Sequence, residues 1–526
     1  MRSSLRSDAV TREPVRVAVL VECLTVPAWV EWTVARIDAT EGLELVAVVP
    51  AEAGPKRSSR SFAYRLYEWA DRKAFGPSAA MRDADLSPLS SGRAAADGLG
   101  PLDVVVSFLP AERTTWEGSA PRHGVWAIAP MDDGRPGGAP SRFWELRDRN
   151  GTATTAVVAL DGDARRLVAQ GSARADPLSL TRTRASAAWA SARLVLRCLR
   201  LLQRKPALPR EHAHAQPPGS PPATITIAHA ARTAIRGIAA KSRKASLRDE
   251  WFVAVRPRTG AGRARPPLRA LENPGGRYLA DPFPIEVGGR HFLFVEDYSK
   301  ADGRGSISVL EAGSSDDWSP PRRVLQREHH LSYPFVFEHE GEIYMLPETM
   351  EAGRVELYRA VDFPNEWRLE RVLLDGLTAV DPTLHIEDGA HWLFVNVLDG
   401  PEDRGELWLF SARSLDGEWQ PHPHNPIVTD PGSARPAGRL FRRGRALLRP
   451  SQDGMRGYGR AIVLNRVDAM SPSEYCETPV ERIEPDWSPG VEGTHTYTFD
   501  SRYECLDGYR HVRRLAGWRR PWNGRP

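Results

Sequence analysis

Hydrophobic positions along this chain change their period near residue 250. Before it, continuous apolar runs alternate with segments of helical spacing. The run VRVAVLV (Val15–Val21) has the unbroken apolar character of a strand buried on both faces of a parallel sheet. VPAWVEWTVARIDA then carries helical spacing, and LELVAVVP (Leu43–Pro50) reads as the next strand. The segment Ser61–Phe75 reads as a helix. Leu102–Pro110, Gly124–Pro130 and Thr152–Leu160 read as further strands, and Ala185–Leu202 as a long helix. Strand alternating with helix predicts an α/β domain around a mostly parallel sheet over residues 15–202, behind a disordered N-terminus of residues 1–14.

Residues 203–250 break this texture. Pro206, Pro209, Pro217, Pro218, Pro221 and Pro222 punctuate the first part. Arg204, Lys205, Arg232, Arg236, Lys241, Arg243, Lys244 and Arg248 make the segment basic. The pattern predicts a linker with one short amphipathic helix near Thr224–Lys244. Its solvated reading is a tether. Its functional reading is peripheral contact with an anionic membrane.

After residue 250 short alternating strands take over, separated by Gly or Asp turns, as in RHFLFVEDY, GEIYMLPET and AHWLFVNV. Five segments align by eye, anchored at Asp281, Tyr333, Asp381, Arg435 and His495. The first four anchors precede Pro282, Pro334, Pro382 and Pro436. Successive anchors lie 52, 48, 54 and 60 residues apart. A period near 50 matches one four-stranded blade, so the segment 251–515 is expected to form a five-bladed β-propeller, followed by a tail of residues 516–526. Fifteen residues after the first three anchors come Glu296, Glu348 and Asn396, and the same offset in the fourth repeat reaches Pro450. The hairpins VGGR, HEGE and EDGA fit between anchor and second polar residue. The elements around Trp318, Trp367 and Trp419 read as outer strands packing on the next blade. WFVAVRP (Trp251–Pro257) is expected to join the last blade and close the ring.

Bulk properties add mainly exclusions. The 526 residues exceed one ordinary core, and the composition, 41% hydrophobic and 26% charged, is that of a globular protein. A net charge of +4 gives no reason to expect nucleic acid. The four cysteines, Cys23, Cys198, Cys476 and Cys505, form no CxxC pair, so neither a disulfide framework nor a cysteine zinc site is expected. No signal peptide or membrane span is read, which makes the cytoplasm the expected location. No GxGxxG follows Val15–Val21, and no spacing demands a metal, so no cofactor is expected. Oligomeric state is left open.

Blade-inner positions converge on a propeller's axis, so the anchors should form one ring. Carboxylates crowded there suit sugar chemistry, with one acid to protonate a leaving oxygen and another as base or nucleophile. Asp281, Glu348 and Asp381 are the candidates for catalysis. Glu296, Tyr333, Asn396, Arg435 and His495 are the candidates for substrate binding, with Trp392 as a second aromatic face. Each of these residues alone also has a structural reading, such as Asp before Pro capping a turn.

The stretch Asp281 to His511, most specifically YPFVFEHEGEIYMLPET, resembles the propeller module at the N-terminal side of plant glucosamine inositolphosphorylceramide transferases and their bacterial relatives. That module is similar to the five-bladed propellers of arabinanases, xylosidases and fructosidases. The resemblance implies a base or nucleophile at Asp281 and a pKa-tuning carboxylate at Asp381. The general acid would fall on the following blade, where this chain has Arg435; the nearest inner carboxylate, Glu348, comes earlier. More faintly, HGVWAIAPMDDGRPGGAPSRFWELRDRNGTATTAVVAL resembles the central stretch of methionyl-tRNA and sugar N-formyltransferases. Their GVxNxHP context maps onto Ala127 and Ala129 here, so the Asn-His pair is missing while Asp132, Asp133 and Asp161 remain. The expected function is recognition or processing of a sugar or glycolipid in the propeller funnel, within glycan or glycolipid assembly. A glycosidase-like or glycosyl-transfer enzyme using Asp281, Asp381 and Glu348 is the alternative. A sugar N-formyltransferase activity in the first domain is the weaker alternative.

Overall fold

A computed structural model describes residues 13–51, 61–90, 99–132, 135–136, 142–148, 151–161, 164–203, 211–212, 221–259, 265–398, 405–455 and 457–514. The chain divides into two compact units, Met1–Ile235 and Arg236–Pro526. The first is an α/β unit and the second an all-β five-bladed propeller. The expectations for residues 1–12, for the tail 516–526, for the linker positions 204–210 and 213–220, and for Asp133 lie outside the described residues.

In the first unit the apolar runs form the sheet centre. Leu43–Pro50, Val15–Val21, Val104–Ser107 and Val125–Asp132 lie side by side in parallel. Thr152–Asp161, Ala164–Arg174 and Glu211–His212 extend the sheet antiparallel beyond them. Ala164–Arg174 is a strand that the pattern does not announce, because Arg165, Arg166, Gln170 and Gly171 blur its alternation. Val17, Val19, Val104, Val106 and Trp126 pack in one core with Leu194, Val195 and Leu199 of the helix Leu180–Leu202. Ala127 and Ala129, where the formyltransferase pattern has Asn and His, are buried in an apolar cluster with Ala156 and Val158. Methyl groups there supply neither an oxyanion donor nor a proton carrier. The helix expected as a short linker element is a 24-residue helix, Ala223–Ser246. Alanines and isoleucines at helical spacing carry it past the segment read from the pattern, up to the first propeller strand at Leu247.

In the second unit each repeat becomes one four-stranded antiparallel blade. Blade 1 runs outward through Arg277–Val287, Arg290–Ser299, Arg304–Glu311 and Arg322–Leu325. Blade 2 runs through Ser332–His339, Glu342–Glu348, Arg354–Asp362 and Glu366–Asp375. Blade 3 uses Ala379–Glu387, Ala390–Val397, Glu406–Ala412 and Gln420–Pro421. Blade 4 uses Arg435–Pro436 with Phe441–Arg443, then Ala446–Gln452, Ile462–Met470 and Tyr475–Ile483. Blade 5 takes its two inner strands, Tyr497–Phe499 and Tyr503–Arg513, from the end of the repeat region. Its third and fourth strands, Leu247–Pro257 and Arg269–Ala270, come from before the first repeat. The eleven paired residues between Leu247–Pro257 and Tyr503–Arg513 close the ring and remove two free sheet edges.

The outer tryptophans pack on the preceding blade, not the next. Trp367 of blade 2 meets Phe294 of blade 1 edge-on, with ring centroids 5.6 Å apart. Trp318 of blade 1 meets Tyr503 of blade 5 at 4.9 Å. The accumulated twist of each blade turns its outer edge towards that neighbour. Trp392, weighed above as an aromatic face for a sugar, is instead core between strands of blades 3 and 4, with Phe394, Leu409 and Leu447.

Candidate functional site

The first three anchors share an unusual backbone. Asp281, Tyr333 and Asp381 all have positive φ, at 49°, 44° and 51°. Each is followed by proline, and each lies in a register break of its innermost strand. A non-glycine residue held left-handed costs on the order of 1–3 kcal/mol, so the surroundings must hold it there. They do so by hydrogen bonds directed at the axis. The Asp281 amide donates to Asp507 Oδ2 (3.2 Å), and the Tyr333 amide donates to Asp281 Oδ2 (3.1 Å). At Asp281 and Tyr333 the break turns the amide out of its ladder and towards a carboxylate on the adjacent blade.

Two rings of polar residues follow. The inner ring is the set of five anchors. The second is formed by residues of each blade's second strand: Glu296, Glu348, Asn396, Gln452 and Asp507. Ala280 pairs with Glu296, Ser332 with Glu348, Val380 with Asn396 and Arg435 with Gln452. Gln452 and Asp507 escape a fixed offset of fifteen because their hairpins differ, placing them 17 and 12 residues after the anchors Arg435 and His495. All five members of the second ring are buried.

Blade 5 and blade 1 join through an acid–imidazole cluster. His495 Nδ1 lies 2.6 Å from Asp507 Oδ2 and 3.6 Å from Asp281 Oδ1. Asp507 Oδ1 also accepts the amides of His495 and Thr496, and the Thr496 hydroxyl donates to Asp281 Oδ1 at 2.8 Å. Burial alone would lower the His495 pKa, but Asp507 and Asp281 raise it above its ordinary value. Burial would raise Asp507, yet His495 and the two amides hold it below. Asp281 is lifted to about 6, mainly by burial, against the pull of His495. The three side chains offer ligand atoms close enough together for a cation. Their mutual hydrogen bonds already satisfy them, and the donor set gives no orphaned atom that calls for an ion.

Blades 2, 3 and 4 join through Arg435. Its Nε lies 2.5 Å from Asp381 Oδ2, and its Nη2 reaches Asp381 Oδ1 at 3.3 Å and Glu348 Oε2 at 3.5 Å. Gln452 Nε2 adds a hydrogen bond to Asp381 Oδ2 at 2.9 Å. Asp381 is 1% exposed and Glu348 6%, whereas the Arg435 side chain is 30% exposed. Arg435 therefore lids the two acids while its own side chain stays partly exposed. Burial and the Asp381 charge push Glu348 well above the usual carboxylate range, despite Arg435.

Glu296 differs from the other acids. Its nearest basic group is His330, whose Nε2 lies 3.5 Å from Glu296 Oε1. Burial lowers the His330 pKa, so that ring is neutral near pH 7. Burial, then the charges of Asp281 and Glu348, raise Glu296 well above its ordinary value. Gly305 makes room for this carboxyl. A Cβ there would sit 2.9 Å from Glu296 Oε1 and would overlap the Leu331 carbonyl oxygen. Gly305→Ala should therefore cost about 2–3 kcal/mol of stability in urea unfolding.

Tyr333 and Asn396 lie deeper. The Tyr333 hydroxyl is 2.8 Å from Thr383 Oγ1 and accepts the Gly438 amide at 2.8 Å, and its ring is fully buried. That geometry ties blade 2 to blades 3 and 4. Tyr333→Phe should strand the Gly438 amide and cost roughly 1–2 kcal/mol, with ligand affinity unchanged. Asn396 is also buried, with Nδ2 unpartnered among the described residues. Gly405 faces it where any Cβ would collide with its amide.

Aromatic residues missing from the sequence-level set edge the hub. Trp251 stacks on His495 with centroids 4.1 Å apart and planes 23° from parallel. Tyr458 meets His495 edge-on at 5.3 Å, and the Arg435 guanidinium lies 5.2 Å from the Tyr458 ring centre. Tyr458 is 56% exposed. An exposed tyrosine, a half-covered tryptophan and a partly exposed arginine thus rim a floor of carboxyls.

Residues 270–493 match the family model described as Glucosamine inositolphosphorylceramide transferase 1, N-terminal. The glucosamine inositolphosphorylceramide transferase 1 of Arabidopsis thaliana is 38% identical over 208 residues, which cover 39% of this chain and 27% of that protein. The protein of the same name from Oryza sativa subsp. japonica is 40% identical over 210 residues, 39% of this chain and 28% of its own. The chain thus matches only about a quarter of the length of these relatives. Among solved structures, a family 117 glycoside hydrolase of Zobellia galactanivorans aligns at TM-score 0.34 and 10% identity, covering 50% of this chain and 90% of its own. An α-L-arabinofuranosidase of Podospora anserina aligns at TM-score 0.34 and 12% identity, covering 47% and 95%. At those scores the likeness carries no functional weight.

Proposed function

We propose that the propeller hub binds a positively charged sugar, an amino sugar presented on a glycan or glycolipid. The observation that carries this reading is the charge imbalance of the hub. Five carboxyls, Asp281, Glu296, Glu348, Asp381 and Asp507, face two cationic side chains, Arg435 and His495. Arg435 and His495 are engaged with four of these acids, while Glu296 has only the neutral His330 beside it. A ligand ammonium would supply the missing charge and replace the proton that burial now favours on Glu296. Tyr458 and Trp251 offer the aromatic surface on which a pyranose ring packs, and Arg435 offers donors to its hydroxyls. The relatives matched by this region carry glucosamine in their names, which supports the same class of ligand.

The test is calorimetric titration of the full chain at pH 7 with methyl glucosaminide, methyl glucoside and methyl N-acetylglucosaminide. The amino sugar should bind at least about tenfold more tightly than the other two, the worth of one charge-assisted contact. Glu296→Gln should erase the difference. Equal affinities, or a preference for the uncharged sugars, would defeat the reading.

One observation favours catalysis as a second reading. Glu348 lies under Arg435 beside Asp381, where burial and the Asp381 charge raise its pKa well above the usual carboxylate range, the direction a general acid needs. If the hub cleaves or transfers a glycosidic bond, Asp281→Asn should abolish turnover of an aryl glycoside while leaving sugar binding in place. A binding-only hub shows no turnover with either chain.

A further inference from the structure

We propose that the exposed face of the helix Ala223–Ser246 rests on an anionic lipid surface. The first two turns dock on their own unit: Thr226 and His229 are buried, and the His229 ring meets Tyr67 and Phe143 edge-on at 5.6 and 5.1 Å. The opposite side stays in solvent. Ile227, Ile235 and Ile238 are 62%, 68% and 72% exposed, and Ala231, Ala234 and Ala245 are exposed as well. At 100° per residue, Ile227, Ala231, Ala234, Ile238 and Ala245 fall within about 60° of each other, with Ile235 at the border of the stripe. The stripe runs about 27 Å along the helix at 1.5 Å per residue. Three exposed isoleucines on one helix face are an unusual cost for a surface meant only for water.

Charge selects the occupant. None of the 24 residues is acidic, while Arg232, Arg236, Lys241, Arg243 and Lys244 are basic. Lys241 lies along one edge of the apolar stripe and Arg232 beyond the other. Arg243 also faces Glu492 at 3.6 Å; Arg232, Lys241 and Lys244 have no acidic partner among the described residues. An apolar stripe flanked by cations and lacking acids is the pattern of a helix lying in the headgroup layer. No helix of the described residues is long and apolar enough to cross a membrane, so the contact is lateral.

The test is sedimentation of the full chain with vesicles of phosphatidylcholine alone and of phosphatidylcholine mixed with phosphatidylserine. The chain should pellet with the mixed vesicles, release as salt rises, and stay in solution with phosphatidylcholine alone. Ile235→Glu with Ile238→Glu, and separately Lys241→Glu with Lys244→Glu, should each lower partitioning about tenfold or more. Their melting temperatures and sugar affinities should match the parent, because all four side chains are exposed and none of them touches a hub residue. A parent chain that stays in solution at low salt overturns the proposal, as does equal pelleting of the variants. So does a concentration-dependent dimer abolished by the isoleucine changes without any vesicle binding.

Discussion

Replacing Arg435 with alanine is expected to destabilise the propeller by about 3 kcal/mol at pH 7 and to abolish ligand binding. The reason lies in what the side chain leaves behind. Asp381 is 1% exposed and takes two contacts from Arg435, at 2.5 and 3.3 Å. Without the guanidinium, Gln452 alone cannot compensate a buried carboxylate. Removing one partner of a buried ion pair costs roughly 3–5 kcal/mol, because the survivor stays desolvated and uncompensated. Arg435 is partly exposed, so water can enter and the lower end of that range applies. Arg435→Lys should recover only part of the loss, since an ammonium cannot span both carboxylates as the planar fork does. Urea unfolding of both variants at pH 7 checks each statement. An alanine variant as stable as the parent at pH 7 would mean that the two acids are not held as an ion-paired set.

Stability of the propeller should fall as pH rises from about 5 to 8, against the usual trend. Asp281 moves from 3.8 in the unfolded chain to about 6 when folded, and Glu296 and Glu348 move well above 4.5, chiefly through burial. Between each unfolded and folded pKa the folded chain binds more protons than the unfolded one. The stability they allow is therefore fully present below the unfolded values and is lost as pH rises through the folded ones. The raised His495 adds to the same slope, because its charged form is favoured only when folded. Asp507 works the other way: its depressed pKa gives stability that disappears below about pH 4, which sets the acid limit. Glu296→Gln should flatten the slope, melting several degrees above the parent at pH 8 and close to it at pH 5. A parent chain whose stability rises steadily from pH 5 to 8 would contradict these assignments. An amino sugar should reverse the slope, since its ammonium favours the ionised acids.

How far the chain could be read from its letters depends on which features repeat. Strand runs such as Val15–Val21 and the Asp-Pro or Tyr-Pro anchors are local signals, and they led to both units and to the first ring. The closing role of Trp251–Pro257 was also legible, because an unpaired strand before the first repeat leaves an edge that the last blade needs; the strand itself starts earlier, at Leu247. Gln452 and Asp507 were hidden by hairpins of other lengths; the visible clue was a polar residue closing ALLRPSQ and interrupting YECLDGY. Tyr458 and Trp251 come from a loop and an outer strand, so no repeat register marks them. The left-handed anchors are invisible to patterning, since Asp and Tyr before Pro ordinarily stay extended. At Asp281 and Tyr333 the carboxylate acceptors on the adjacent blade, which no local pattern reveals, hold the amide in that conformation.

A crystal structure of the full chain soaked with methyl glucosaminide, at a concentration that saturates binding in solution, would address the hub most directly. The sugar should lie on Tyr458 with its nitrogen within about 3 Å of a Glu296 oxygen, as a charge-assisted hydrogen bond requires, and a hydroxyl on Arg435. Sugar found elsewhere on the chain, with an empty hub, would contradict the account.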